Sequence, residues 1–326
     1  MKAYVVENGL YTWKEMEEPS VHPNEVKVKL ITAGMNHRDL MIKERVQSQE
    51  AFILGSDGAG IVEAIGENVT KFHVGDEVII NPGLNWYNKN EAPPEEFEIV
   101  GVPYNGTFAE KIVIHEDFVA EKPSHLSWEE AGVFSLAALT GYRALCTQGQ
   151  AKKGETLFIP GVSGGVNTFI IQFAKAIGLR VITTSRTQAK LDMAIDLKYD
   201  RGLETEDDWV RELHDETVDL VIESIGGKTF NRSLEVLKKG GRIVTYGSST
   251  DDIFSFNLRQ FFYGQYHMIG STMGSREEFI ELLAFVKQHN IKPFIDTSFS
   301  FDELDRAFTY LEKQNQVGKI VVRFND

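Results

Sequence analysis

The stretch from Thr156 to Arg186, TLFIPGVSGGVNTFIIQFAKAIGLRVITTSR, constrains the fold more than any other part of the chain. An apolar run meets a glycine-rich turn, the turn opens an amphipathic pattern of helical period, and a second apolar run follows. This is one βαβ unit with its glycines where a strand passes into a helix, which calls for a parallel sheet covered by helices. Backbone N–H groups at such a turn can meet a pyrophosphate. No Asp or Glu closes the second strand. Ser185 and Arg186 stand there, with Lys190 four residues beyond Arg186. A carboxylate at that place would bind a ribose 2′-hydroxyl, whereas a guanidinium and an ammonium suit a 2′-phosphate. The residues therefore point to NADP(H) before NAD(H).

Other readings of the turn stay open. Gly161-Val162-Ser163-Gly164-Gly165-Val166-Asn167 is not a strict G-x-G-x-x-G, and its glycines can serve only a tight turn and close helix packing. Gly161 to Gly165 also fits G-x-S-x-G, the nucleophile elbow of hydrolases, with Ser163 as nucleophile and Asp219 and His267 or His289 as partners. Arg186 and Lys190 can equally be solvated cations at a helix start.

The pattern around the turn favours the dinucleotide reading. Strands are expected at 157–160, 180–184, 201–204, 218–223, 242–246 and 267–272, alternating with helices at 165–177, 187–197, 206–213, 228–237 and 276–289. Alternation with continuous apolar strands predicts a Rossmann-type doubly wound parallel sheet. Upstream, Trp128 to Cys146 reads as one helix with Ser127 as N-cap. Residues 1–125 differ: short alternating strands punctuated by Gly66-Glu67-Asn68 and Val74-Gly75-Asp76 predict a β-rich domain. Residues 81–102, with Pro82, Pro93 and Pro94, read as a loop. With 81–105, the segment 42–53 is expected to wall a substrate pocket.

The chain has 326 residues, a length suited to two domains. Its net charge of −14 opposes binding to nucleic acid or an anionic membrane. Cys146 is its one cysteine, so a disulfide within the chain is excluded and a cytoplasmic setting is expected. No run reaches the roughly 18 apolar residues of a membrane span, and the first residues lack the pattern of a secretory signal.

Six stretches, in order and at their spacing, carry a resemblance: ITAGMNHRDLMI at 31–42, LGSDGAGIVEAIGENVTKFHVGDEV at 54–78, GTFAEKIVI at 106–114, FSLAALTGYRAL at 134–145, the glycine turn, and GGRIVTYGSS at 240–249. Nearly the whole chain thereby resembles the medium-chain dehydrogenase/reductase superfamily. The resemblance implies an α/β fold: a GroES-like β-rich catalytic domain at 1–125, completed by 290–326, and a Rossmann dinucleotide-binding domain at 126–289.

It also implies what is missing. Zinc-type alcohol dehydrogenases place a catalytic cysteine where this chain has Asn36, a histidine where it has Ser56, and often a second cysteine where it has Leu136. An amide, a hydroxyl and a leucine do not replace two thiolates and an imidazole around zinc. The structural zinc lobe of the family corresponds to 81–102, which has no cysteine. The expectation is no zinc, with a makeshift site of His37, Asp39 and Asp57 as the remaining way to hold one. The zinc-free members that the chain resembles are quinone and enone reductases, in which hydride goes to an acceptor already activated by conjugation.

Residue by residue, the resemblance makes Asn36 the foremost catalytic candidate, with an amide that donates to the substrate oxygen, unless it only caps its loop. Arg38 and Ser56 are lesser candidates. His37 lies near the pyrophosphate or is simply exposed. Thr140 matches a threonine near the nicotinamide. Gly161, Ser163, Gly164, Gly165 and Val166 match the pyrophosphate turn, and Ser185, Arg186 and Lys190 the adenosine-phosphate pocket. Gly247 and Ser248 end a strand at the cofactor crevice. Lys319 is expected to reach pyrophosphate or to pair with Asp39. Asn167 replaces a glycine that usually lets helix and strand approach.

The edge near 267–272, preceded by Phe261-Phe262-Tyr263, invites pairing with a second copy, so a homodimer is expected. The functional expectation is an NADPH-dependent, zinc-free reductase of a small-molecule quinone or α,β-unsaturated carbonyl. An alcohol or aldehyde oxidoreductase, and an NADPH-binding sensor without turnover, are the alternatives.

Overall fold

The computed structural model describes residues 1–45 and 49–324, so residues 46–48 of the expected pocket wall lie outside the described residues. The chain forms two compact units, Met1–Ala137 with Gly274–Asp326, and Ala138–Met273.

The second unit is a six-stranded parallel sheet in the order Arg201–Glu204, Arg180–Ser185, Thr156–Ile159, Val218–Glu223, Leu237–Thr245, His267–Gly270. Numbered from the first strand in the chain, this order is 3-2-1-4-5-6, that of the doubly wound dinucleotide fold, and it reverses at Thr156–Ile159. Thr156–Ile159 is buried at every position because helices cover both faces, which is why it reads as an unbroken apolar run. Phe158 packs edge-on against Trp209 at 5.0 Å, in a core with Phe230, Leu234 and Ile243. The helix Gly165–Ile177 buries Phe169, Ile170, Phe173 and Ala174 on its inner face.

The first unit holds a seven-stranded sheet. Val119–Glu121, Glu77–Ile80, Asp57–Ile65, Glu25–Gly34, Lys319–Arg323 and Ile295–Ser300 follow one another, and Lys111–His115 also pairs with Glu25–Gly34. Both ends of the chain thus build one sheet, as the resemblance implies. A smaller sheet joins Leu10–Glu15, Lys2–Glu7 and Phe52–Ile53. Burial alternates through most of Glu25–Gly34, giving the period of two read from its sequence.

Several elements differ from expectation. The helix expected from Trp128 to Cys146 is broken. Ser127 and Glu130 form a capping box on Trp128–Gly132, a second helix runs Ser135–Tyr142, and a π-helical segment covers Arg143–Gln148. The first piece stops where Gly132 sits on Thr32: a Cβ on Gly132 would come 2.3 Å from Thr32 Oγ1. The helix expected at 206–213 is the short Trp209–Glu212, and that at 187–197 is Gln188–Met193 with a 3-10 turn after it. The helix Leu258–Gly264 was not expected at all.

Residues 81–102 are more than a loop. Gly83–Leu84 pairs with Glu98–Ile99, and between them Trp86 is fully buried with Phe97 edge-on at 5.1 Å. The helix Arg276–His289 lies in the same compact unit. Its first amides, Arg276 and Glu277, donate to the carbonyls of Trp86 and Tyr87, and Lys89 pairs with Glu281 at 2.8 Å. The two compact units meet at 137/138 and 273/274.

Candidate functional site

In the first unit, strand register assembles the site. Gly34 lies opposite Asp57 on one neighbouring strand and opposite Val321 on the other. The chain leaving Gly34 therefore carries Asn36 into a position flanked by Asp57 and by Lys319. Asn36 is 7% exposed, Lys319 3% and Asp57 0%. The Lys319 ammonium donates to Asn36 Oδ1 at 2.5 Å and to Met35 O at 2.9 Å, and lies 3.3 Å from Asp57 Oδ2. Asn36 Nδ2 donates to Asp57 Oδ2 at 3.0 Å. An ammonium only donates and a carboxylate only accepts, which sets the amide orientation: oxygen toward Lys319, nitrogen toward Asp57. The second Nδ2 hydrogen has only Gly34 O at 3.5 Å, longer than an ordinary bond.

Lys319 thus pairs with Asp57, not with Asp39 as the sequence suggested. Its three hydrogens face three acceptors inside the unit, leaving none for a pyrophosphate.

Asp39 is fully buried and accepts the Asn36 N–H at 2.8 Å through Oδ2, capping the start of the helix His37–Arg45. Its Oδ1 has no partner, and burial raises its pKa to about 6, partly offset by Arg38. Arg38 Nη1 donates to Ser56 Oγ at 2.6 Å and to Val100 O at 3.0 Å, and the Ser56 hydroxyl donates to Val100 O at 2.6 Å. Ser56 is fully buried and its one hydrogen is used on this carbonyl. Of the three catalytic candidates, Asn36 retains a hydrogen for a ligand and Ser56 does not. His37 is exposed.

The donor chemistry around Asn36 does not suit zinc. The amide oxygen already faces an ammonium, the Ser56 hydroxyl is used, and Leu136 offers Asp57 only its backbone N–H, at 2.6 Å. A divalent cation would also meet the charge of Lys319 at close range. Among the described residues, no three His, Cys, Asp or Glu side chains are placed to hold a metal, His37, Asp39 and Asp57 included.

In the second unit, Gly161 has φ +85°, a left-handed conformation that favours glycine, and turns the chain out of the strand Thr156–Ile159. Its N–H donates to Thr184 Oγ1 at 3.2 Å. The helix beginning at Gly165 has Gly164 as N-cap and no side-chain cap, so its leading amides are available to an anion. Gly164 is exposed, and Ser163, Gly165 and Val166 are half-buried. Asn167 does not merely replace a packing glycine. Its Nδ2 donates to Pro160 O at 2.9 Å and Gly161 O at 2.7 Å, fastening the turn to the helix.

Ser185 is buried at the end of its strand, Arg186 is exposed and Lys190 half-buried. Thr140 is 7% exposed, its hydroxyl 3.8 Å from Met273 Sδ. Gly247 is exposed, while the Ser248 hydroxyl oxygen is buried without a partner. A cavity of about 600 Å³ opens there, lined by Phe230, Tyr246, Ser248, Phe254 and Met268. The unpartnered hydroxyl and uncapped helix start are both suited to a polar, anionic ligand.

Sequence reasoning missed Glu223, fully buried at the end of its strand. It accepts from Ile225 N at 2.7 Å and from the hydroxyls of Thr229 and Ser233, each at 3.0 Å, and burial raises its pKa. It holds the turn that precedes the helix Gly227–Val236. The signal was present: an acid closing an apolar strand, with hydroxyls six and ten residues on.

With Asp219 and His267 as partners, the hydrolase alternative does not assemble. Ser163 follows the C-terminal end of its strand, whereas Asp219 and His267 stand at the N-terminal ends of parallel strands. Asp219 instead accepts from Thr156 N at 2.8 Å.

The chain matches the family model of the alcohol dehydrogenase GroES-like domain over residues 22–124 and that of the zinc-binding dehydrogenases over 165–288. A zinc-type alcohol dehydrogenase-like protein of Schizosaccharomyces pombe is 31% identical over 96% of this chain and 94% of its own length. An acryloyl-coenzyme A reductase of Sulfurisphaera tokodaii is 29% identical over 99% of this chain and all of its own. A solved structure described as an NAD-dependent alcohol dehydrogenase is 29% identical and superposes with a TM-score of 0.92, covering both chains completely.

Proposed function

The chain belongs to the medium-chain dehydrogenase/reductase superfamily, and from that membership we propose that it is a zinc-independent reductase that uses NADPH to reduce a conjugated carbonyl compound, a quinone or an α,β-unsaturated carbonyl. The observation that carries the reading is the buried Lys319–Asn36–Asp57 cluster, built around Asn36, which the resemblance aligns with a ligand cysteine of zinc-type members.

NADPH supplies hydride when bound. The chain's own residues do the rest. The glycine turn and the uncapped start of Gly165–Ile177 hold the pyrophosphate, and Arg186, Lys190 and Ser185 take the 2′-phosphate. Gly247, Ser248 and Thr140 serve the nicotinamide end. With NADPH bound, hydride transfer to a conjugated acceptor would build negative charge on its carbonyl oxygen; the second Asn36 amide hydrogen would donate to that oxygen, and a proton from water would complete the reduction. An unconjugated ketone needs stronger activation than one amide provides, which favours an acceptor already polarised by conjugation. The acryloyl-coenzyme A reductase relative supports this substrate class.

An alcohol or aldehyde oxidoreductase is the second reading, favoured by the relatives of that name. NADPH consumption over enones, quinones and aldehydes, with zinc measured in the same sample, separates the two: zinc-dependent turnover of simple aldehydes alone would select the second.

The protein is also proposed to be a homodimer. The outermost strand His267–Gly270 exposes Met268, and the neighbouring helix Leu258–Gly264 exposes Leu258, Phe262 and Tyr263. A monomer by light scattering at micromolar concentration would contradict this. Among the described residues, no helix is long and apolar enough to cross a membrane.

A further inference from the structure

Lys319 has no role in the reading above beyond its charge, yet it is buried with its ammonium 2.5 Å from the Asn36 amide oxygen. We propose that Lys319 is a positioning residue that strengthens Asn36 as a hydrogen-bond donor to the substrate oxygen, so that Lys319, Asn36 and Asp57 act as one push–pull unit. This deepens the function proposed above and rests on it.

The geometry supplies the reasons. The amide bridges a buried ion pair: its oxygen faces the ammonium and one Nδ2 hydrogen faces the Asp57 carboxylate at 3.0 Å. A cation on the oxygen of an amide draws electron density from its nitrogen. Both Nδ2 hydrogens then become stronger donors, and a low-dielectric setting enlarges the effect. One of those hydrogens is used by Asp57. The other has only the 3.5 Å contact to Gly34 O, so a ligand oxygen at ordinary hydrogen-bond distance would displace little.

The same contacts hold the amide still. Met35 O takes a second ammonium hydrogen at 2.9 Å, and Asp57 is itself anchored by the Leu136 N–H at 2.6 Å. A donor fixed before the reaction begins needs no reorganisation as charge develops, which is the condition for electrostatic stabilisation. A plain loop-capping role for Asn36 needs only its backbone N–H on Asp39, and leaves a fully buried ammonium on its side chain unexplained.

The test uses 2-cyclohexen-1-one as probe and three variants of the full chain. Lys319→Met alone leaves the Asp57 carboxylate buried without its cation and can fail to fold. The double variant Lys319→Met/Asp57→Asn removes both charges, and Lys319→Arg retains the cation. In the double variant, kcat is expected to fall on the order of 10-fold, less than the roughly 100-fold that follows loss of a whole donor, because Asn36 is kept but no longer polarised. KM for NADPH is expected to stay near that of the unaltered protein, and Lys319→Arg to recover part of the kcat. The carbonyl stretch of the enone bound with NADP⁺, read by infrared difference spectroscopy without turnover, is expected at lower frequency in the unaltered protein than in the double variant. A folded double variant with unchanged kcat and carbonyl frequency would overturn the role of Lys319 and leave the proposed reductase intact. Absence of turnover and of enone binding in the unaltered protein would remove the reductase reading and this inference with it.

Discussion

The phenol of Tyr246 donates to the amide oxygen of Asn167 across 2.5 Å, tying the residue after the strand Leu237–Thr245 to the glycine turn. Through its other end the same amide holds the carbonyls of Pro160 and Gly161, so one side chain fixes the turn from both sides.

Replacing Asn167 by Ala removes these three bonds and leaves buried partners unmet. The cost is expected at about 1–3 kcal/mol of unfolding free energy, measured by urea denaturation. NADPH affinity should fall with it, because the turn that meets the pyrophosphate loses its brace. An Asn167→Ala protein with unchanged stability and affinity would show that the brace is unimportant.

Asp39 gives a pH dependence with a definite sign. Burial raises its pKa from the ordinary 3.8 to about 6. Folding therefore favours the protonated form, so the contribution is present below pH 3.8 and is lost as pH rises through about 6. The difference corresponds to about 3 kcal/mol. Asp39→Asn, which cannot ionise, should become more stable relative to the unaltered protein between pH 4 and pH 7. Parallel stability curves for the two proteins across that range would contradict the assignment.

Cofactor choice is read from Ser185, Arg186 and Lys190, even though the structurally similar alcohol dehydrogenase is NAD-dependent. NADPH is expected to raise the melting temperature more than NADH at equal concentration, since a ligand stabilises in proportion to its occupancy of the folded state. Arg186→Ala should narrow that gap while leaving the NADH shift nearly unchanged. Equal shifts from both cofactors in the unaltered protein would remove the phosphate pocket.

Trp86 is fully buried against Phe97 in the segment 81–102, which the resemblance equates with a structural zinc lobe. Trp86→Ala is expected to cost about 3–5 kcal/mol, as for other fully buried large aromatics. Chelator should leave the melting temperature of the unaltered protein where it was. A chelator-induced drop would mean that a metal, not Trp86, holds this lobe.

Much of the second unit was legible because its strands are buried on both faces and read as apolar runs between turn signals, Thr156–Ile159 above all. Ser127 as N-cap was legible for a local reason, since its partner Glu130 lies only three residues on, and the structure adds the reciprocal bond from Glu130. The helix Leu258–Gly264 was not, because its Leu258, Phe262 and Tyr263 are exposed and leave no clean period. Trp86 in a proline-rich stretch read as loop, since its burial depends on Phe97 and on a fold closing around it. The residue types at Asn36, Ser56 and Leu136 announced unusual donor chemistry, but the partner of Lys319 stayed hidden. Lys319 and Asp57 lie 262 residues apart, and only the register of three adjoining strands brings them together.

The most direct measurement is NADPH consumption with 2-cyclohexen-1-one by protein treated with chelator, with bound zinc determined on the same sample. Undiminished turnover is expected at far below one zinc per chain. Turnover that disappears with the metal and returns on adding one equivalent of zinc would contradict a site built on an amide and an ammonium.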